Sequence, residues 1–240
     1  MITFAIEKLA FIDGRGRCSR GTFSTDGISS LFDGSCLGFI PGSLKRRCSP
    51  LTKMALSVAN EAMSEVSLKG DVPTVFASRH GESSTTASLL RDLSCNMPIS
   101  PMDFSLSVHN TASGIHSISH KAEGPSSAIA AGDETFICGL VDAALQLKES
   151  ASPRILLLAY DELVPDIFGD VADNTSVYAV GLLMTREGKD SFTLRVGSDL
   201  TEGIKECHAM AFLDWYRSGS SRLALCGSSV AIEIDRKPSL

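Results

Sequence analysis

The sequence predicts an α/β fold, a mixed sheet with covering helices, and three observations carry that prediction. Strand-like and helix-like segments alternate through most of the chain. Ile155 to Ala159 is apolar throughout and follows a helical stretch, the signature of a parallel strand covered on both faces. Strand-like segments then gather toward the end, where Val177 to Thr185 and Phe192 to Val196 read as an antiparallel hairpin turning at Arg186 to Asp190.

The elements follow in order. Residues 2 to 12 alternate loosely between apolar and polar, as a first strand does. Residues 13 to 48 form a Gly-, Ser- and Arg-rich stretch with little periodicity, a loop long enough to be functional or interface-forming. Ser49 and Pro50 read as N-cap and first position of a helix that sets Leu51, Ala55, Val58, Ala62 and Val66 on one face. A short strand, Pro73 to Ser78, leads to a helix near Glu82 to Leu93. Pro98 and Pro101 mark a loop before a helix ending near Lys121. A strand at Ser126 to Ala130 precedes a helix at Asp133 to Lys148 that carries Phe136, Ile137, Leu140, Val141, Ala144 and Leu145. Beyond a loop at Asp161 to Asn174 and the hairpin come a helix at Glu202 to Arg217 and a strand at Val230 to Ile234. The whole, 1–240, reads as one domain, with a strand-turn-helix at 124–148.

At 240 residues, 43% hydrophobic and 21% charged, the chain can bury a full core. Its net charge of -6 hides an asymmetry: residues 1 to 50 hold seven Lys and Arg against four Asp and Glu. Arg15, Arg17, Arg20, Lys45, Arg46 and Arg47 could face an acidic partner or lie on a solvated loop surface. The acidic balance and few aromatics argue against nucleic acid. The start shows neither a basic leader nor an uninterrupted apolar run, and no segment approaches the length of a membrane span. Seven irregularly spaced cysteines point to reduced thiols in a cytoplasm; no metal site or cofactor is implied.

One ordered set of residues carries chemistry: Ser100-Pro101, Asn110, Gly114, Gly124-Pro125, the small-residue run SSAIAA, and the turn Gly132-Asp133 opening GDETFICGLVDAALQL. In order and spacing this stretch resembles the nucleophile-bearing half of ketosynthases of the thiolase superfamily. The resemblance implies a thiolase-like half, a single N-terminal-type ketosynthase domain, with Asp133 at the position of the nucleophilic cysteine. A thiol belongs at such a turn because backbone N–H groups and the helix dipole stabilise a thiolate that accepts an acyl group. A carboxylate suits the same electrostatics and is expected to cap the helix, but it is a poor acyl acceptor. Cys138, five residues on, projects about 140° away at 100° per residue and reads as a buried structural cysteine. The histidine motifs of condensing enzymes, H-G-T and G-H, do not occur: His208 lies in KECHAMAF, and His80, His109, His116 and His120 precede the turn.

Full condensing enzymes contain two related halves, of which this sequence resembles the first. The short length and the stretch SPMDFSLSVHN are similar to the chain length factors that accompany a full ketosynthase in aryl polyene biosynthesis. That resemblance implies a non-catalytic subunit in a heterodimer with a full-length ketosynthase, meeting an acyl carrier protein through the complex. It assigns tunnel-lining or partner-gating roles to Met102, Phe104, Leu106, Val108, His109 and Asn110, and an interface-strand role to Ser126, Ser127, Ala128, Ile129 and Ala130. Phe104, Leu106 and Val108 alternate with polar residues, so one face could meet a growing chain or fill this chain's own core. Two other classes stay open: an acyltransferase or hydrolase using Ser83 or Ser84 near His80, though serines at a helix start are usually caps, and a homodimeric lipid-binding scaffold.

Overall fold

The computed structural model describes residues 1–15, 17–19, 21–22, 37–67, 71–171, 176–197 and 203–237. Arg20, Glu202 and parts of the expected loops, 23–36 and 172–175, lie outside the described residues.

Among the described residues ten strands form one sheet. They are β1 (Ile2–Asp13), β2 (Arg17–Cys18), β3 (Gly21–Thr22), β4 (Thr74–Ala77), β5 (Ser126–Ile129), β6 (Arg154–Asp161), β7 (Tyr178–Thr185), β8 (Ser191–Gly197), β9 (Arg222–Cys226) and β10 (Ala231–Arg236). The order across the sheet is β5-β4-β6-β7-β1-β8-β10-β9, with β2 and β3 branching from β1. β4 is parallel to both β5 and β6, and every other pairing is antiparallel. The mixed sheet is as expected.

Helices cover both faces. On one lie α2 (Pro50–Ala62) and α5 (Thr111–His120); on the other lie α6 (Thr135–Glu149) and α7 (His208–Ser218). Leu156 and Leu158 of β6 enter the first core and Leu157 the second, because successive side chains of a strand point to opposite faces. A strand between two apolar layers has no polar face, which is why Ile155 to Ala159 is apolar throughout and wholly buried. Each such leucine contributes roughly 1.5–3 kcal/mol by leaving water. Shorter helices are α1 (Gly42–Lys45), α3 (Ser83–Ser94) and α4 (Pro101–Ser105).

Local signals translate directly where they concern caps. Ser49 accepts the amide of Thr52 and Pro50 takes the first helical position of α2, whose Leu51, Ala55, Val58 and Ala62 are buried. The helix ends at Ala62, so Val66, expected on it, lies past its end and is half-buried against the same core. Ser100 accepts the amide of Asp103 at the start of α4, and Lys121 closes α5 in the left-handed region.

Four expectations need correction. The hairpin does not form: β1 lies between β7 and β8 and pairs with both. Ala5 faces Thr185 on one side and Ser191 on the other, so the chain from 186 to 190 crosses over β1 instead of turning back beside itself. The Ile6 amide donates to Asp190 O across this passage (3.0 Å). β1 is therefore a central strand, buried at Phe4, Ala5, Ile6 and Ala10 to Asp13, rather than a half-exposed alternating one. The last helix begins only at His208; Ile204 instead bridges to Leu225, in a strand, β9, that the sequence reading did not identify. Leu145 of α6 is exposed, whereas the helix expected to end near Lys121 is α5, with the short α4 preceding it. Of the basic residues near the start, Arg15 and Arg17 pair within the chain, to Asp214 and to Asp13 and Asp214 respectively.

Candidate functional site

The site lies where β5 ends. The chain leaves the strand, turns at Gly132 with φ +57°, passes through one 3-10 turn (Gly132–Glu134) and enters α6. The positive φ suits a residue without a Cβ. Thr135 closes the turn, its hydroxyl donating to Gly132 O (2.7 Å) and accepting the Ala131 amide (2.9 Å).

Asp133 does not cap α6, as the sequence led us to expect. Glu134 is the N-cap residue and makes no side-chain capping bond, and the Asp133 carboxylate turns outward to Arg79 Nη1 (2.5 Å). Lying one residue before the cap, Asp133 meets the guanidinium in place of the helix amides. Glu134 reaches the other way, accepting the amides of Ser229 and Val230 and the hydroxyl of Ser228. The Ser229 amide leads in holding its carboxyl below the usual glutamate range.

The tertiary fold adds two residues that the sequence reading did not associate with this turn. His208, at the start of α7, is buried; its Nδ1 faces Asp133 O (3.0 Å) and its Nε2 faces Cys226 O (3.2 Å). Both ring nitrogens thus face backbone carbonyls, either of which can take the ring N–H. Asp161, at the end of β6, is also buried and accepts from the Ser78 hydroxyl (2.9 Å), the amides of Arg79 (3.0 Å) and His80 (3.2 Å), and the Tyr178 hydroxyl (3.0 Å). Burial pushes its carboxyl up, and these donors oppose the shift. The same burial pushes the Tyr178 phenol up, with Asp161 adding to it. The only sequence signal for Asp161 is an acidic residue closing an apolar strand. His208 carries no motif at all.

Arg79, Asp133, Phe136, Tyr178, Cys207 and His208 line a cavity of about 500 Å³. A second, of about 560 Å³, opens beside it between Arg15, Leu163, Met210 and Asp214, sharing Ser176, Glu206 and Cys207 with the first. Burial raises the Cys207 thiol, against the amides of Met210 and Ala209. Cys138 is partly rather than fully buried, and burial raises it too. Among the described residues no group of three His, Cys, Asp or Glu side chains could hold a metal ion.

The other named residues separate. Ser83 and Ser84 are the first two residues of α3 and do not cap it; Glu82 is the N-cap. The Ser83 hydroxyl and His80 Nε2 are both buried without a hydrogen bond, so they do not form a nucleophile and base couple. Glu82 is itself buried, accepting from Ser49, Thr52 and Thr85. In the 102–110 stretch, α4 and the turn after it replace the extended alternation expected from the sequence. Met102, Phe104 (64% exposed) and Val108 stand out into solvent, whereas Leu106 is half-buried against the core that α2 covers. His109 Nε2 donates to Ser78 O (2.7 Å), and Asn110 precedes α5 without a side-chain cap. Along β5, Ser126, Ala128 and Ala130 are exposed while Ser127 and Ile129 are half-buried. One edge of β5 pairs with β4; the other has no strand beside it among the described residues.

Among solved structures, a chain of the ketosynthase (ApeO) in complex with its chain length factor (ApeC) from Xenorhabdus doucetiae matches with a TM-score of 0.78 at 22% identity, covering 98% of this chain and 100% of that one. A chain of the ishigamide ketosynthase/chain length factor matches with a TM-score of 0.62 at 14% identity, covering 92% and 74%. A chain of AntDE:AntF, a type II PKS acyl-carrier protein in complex with its ketosynthase bound to the hexaketide, matches with a TM-score of 0.68 at 9% identity, covering 98% and 99%. At these identities the likeness is one of fold. No protein of curated function matches the sequence. The profile of the family described as "Beta-ketoacyl synthase, N-terminal domain" matches residues 31–230, which is most of the chain. With its strand-turn-helix intact and an aspartate at the turn, the chain belongs to the family of the beta-ketoacyl synthase N-terminal domain.

Proposed function

We propose that this protein is a non-catalytic chain length factor that pairs with an active ketosynthase and shapes its acyl tunnel during polyketide or aryl polyene chain elongation. The observation that carries the reading is Asp133: the nucleophile-type turn is kept, but its side chain is a carboxylate engaged by Arg79. A carboxylate does not take an acyl group from a thioester as a thiolate does. His208, in contact with the turn, turns both ring nitrogens to backbone carbonyls, so its ring N–H is taken up within the chain.

The open edge of β5 and the small side chains along it suit pairing with a strand of the ketosynthase partner, since an unpaired edge presents free N–H and C=O groups. Exposed Met102, Phe104 and Val108 supply an apolar surface for the partner's acyl tunnel. The acyl carrier protein meets this chain through the complex, no cofactor takes part, and the assembly works in the cytoplasm.

The test uses the purified chain, alone and with a full-length ketosynthase. Alone it should take no acyl group from an acyl carrier protein and condense none with a malonyl unit, while the pair should copurify and elongate. Acylation and condensation by the isolated chain would overturn the reading. The serine-nucleophile alternative has against it the unpartnered Ser83 hydroxyl, and it predicts a fluorophosphonate adduct that the chain length factor reading does not.

A further inference from the structure

One short turn touches both parts of the site. Residues 78 to 81 follow β4, and Asp161 holds them through the Ser78 hydroxyl and the amides of Arg79 and His80. The Gly81 amide then folds back onto the Ser78 hydroxyl (2.8 Å). The turn is thus pinned to a buried carboxylate at the end of β6, an internal strand of the sheet. From it Arg79 reaches Asp133, and on its other side the carbonyl of Ser78 receives His109.

The approach to His109 is close. Gly81 has φ +54°, and a Cβ there would lie 2.9 Å from His109 Cδ2 and 3.3 Å from His109 Cα. Such a distance forces one side to shift. His109 adjoins Val108 and so sits at the end of the stretch that carries Met102, Phe104 and Val108, whose other ties are the packing of α4 against α3 and the contacts of Leu106 and Met102. Leu106 is half-buried against the core, and Arg47 Nη1 approaches Met102 Sδ (3.6 Å). The remaining hydrogen bonds of this stretch are local, such as the Thr111 hydroxyl on the carbonyls of Leu106 and Val108.

We infer that the Ser78–Gly81 turn is the positioning element of the 102–108 segment. By gripping His109 it sets how far Phe104 and Val108 stand from the chain, and through them the length of the acyl chain that the paired ketosynthase makes. Gly81 and Ser78 are positioning residues; they need not touch the acyl chain. The second half of this statement rests on the chain length factor reading above, whereas the first half concerns this chain alone.

The experiment has two arms. In the isolated chain, amide hydrogen exchange over 102–108 should accelerate several-fold in Gly81→Ala, Ser78→Ala and His109→Ala. It should return toward wild type in His109→Gln, whose amide nitrogen can replace Nε2 as donor to Ser78 O. Exchange in β1 and β6 should stay unchanged in each, which separates repositioning from general loosening. Unchanged exchange over 102–108 in both Gly81→Ala and His109→Ala overturns the inference. In the complex with a ketosynthase, Gly81→Ala and Ser78→Ala should still copurify but shift the dominant product by at least one elongation unit or broaden its distribution. Should Gly81→Ala not fold, Ser78→Ala and the His109 pair decide alone. Wild-type product lengths from variants with altered exchange overturn the link to chain length and leave the heterodimer reading standing. Failure of the wild-type chain to copurify overturns that reading and, with it, the chain-length half of the inference.

Discussion

Removing the Asp161 carboxylate should be among the costliest single changes in this protein. Asp161→Ala deletes the acceptor of four donors: the hydroxyls of Ser78 and Tyr178 and the amides of Arg79 and His80. A buried donor left without a partner costs about 1–3 kcal/mol, so four such groups set a ceiling of about 12 kcal/mol and a floor of about 4. Asp161 borders the 500 Å³ cavity, and water entering there can satisfy one or two of them, so we expect a loss of about 3–5 kcal/mol. For a chain of this size that lowers Tm by roughly 10 °C. Asp161→Asn keeps one oxygen, which can serve the Ser78, Arg79 and His80 donors together, and places an amide nitrogen toward Tyr178. It sacrifices chiefly one charge-assisted bond and should cost about 1–2 kcal/mol. Urea denaturation followed by tryptophan fluorescence measures both, because Trp215 is buried in the core. A loss below about 1 kcal/mol for Asp161→Ala, or an equal loss for the two variants, would refute this account of the network.

Asp133→Asn should cost less than about 1 kcal/mol, because Asp133 is mostly exposed and an ion pair in that setting is weak; a double-mutant cycle with Arg79→Ala checks it. Glu134 gives a pH dependence with a definite sign. Its folded-state pKa is depressed by the Ser229 amide, so its contribution is present in full above the unfolded glutamate range and is lost as pH falls through the folded value. The stability difference between wild type and Glu134→Gln should therefore shrink in acid, and a difference that grows there contradicts the assignment. Arg236 lies over three rings, 5.2 Å from Phe192, 5.5 Å from Trp215 and 5.2 Å from Tyr216, and donates to Tyr216 O (2.9 Å). Arg236→Met keeps the aliphatic stem and should lose about 1–2 kcal/mol in thermal or urea unfolding, through the cation–π contacts and that hydrogen bond.

Much of the fold was legible because it follows from local chemistry. Ser49-Pro50 starts a helix for reasons confined to a few residues: a side-chain oxygen accepts one orphan amide, and a proline sits where no amide is needed. The uniform apolarity of Ile155 to Ala159 already requires cover on both faces, and the spacing from Ser100 to Asp133 carried the family resemblance. The order of strands was not legible. Nothing local distinguishes a hairpin of β7 and β8 from two strands that flank β1, since the partner enters from nearly 180 positions away and pairing depends on backbone groups common to every residue.

The same division runs through the site. Sequence by itself determined that a carboxylate stands at the Gly132-Asp133 turn, because residue order and spacing along one chain are all that observation needs. Only the tertiary structure decided what that carboxylate does. Asp133 meets a guanidinium from the end of β4 instead of capping α6, its carbonyl faces His208 across a separation of 75 positions, and Asp161 anchors the turn that presents Arg79. Capping needs only neighbours along the chain, so it is the role a sequence suggests. An ion pair across the sheet costs no more once folding has brought the partners together, and here the Ser78–Gly81 turn, pinned to a buried acid, does so.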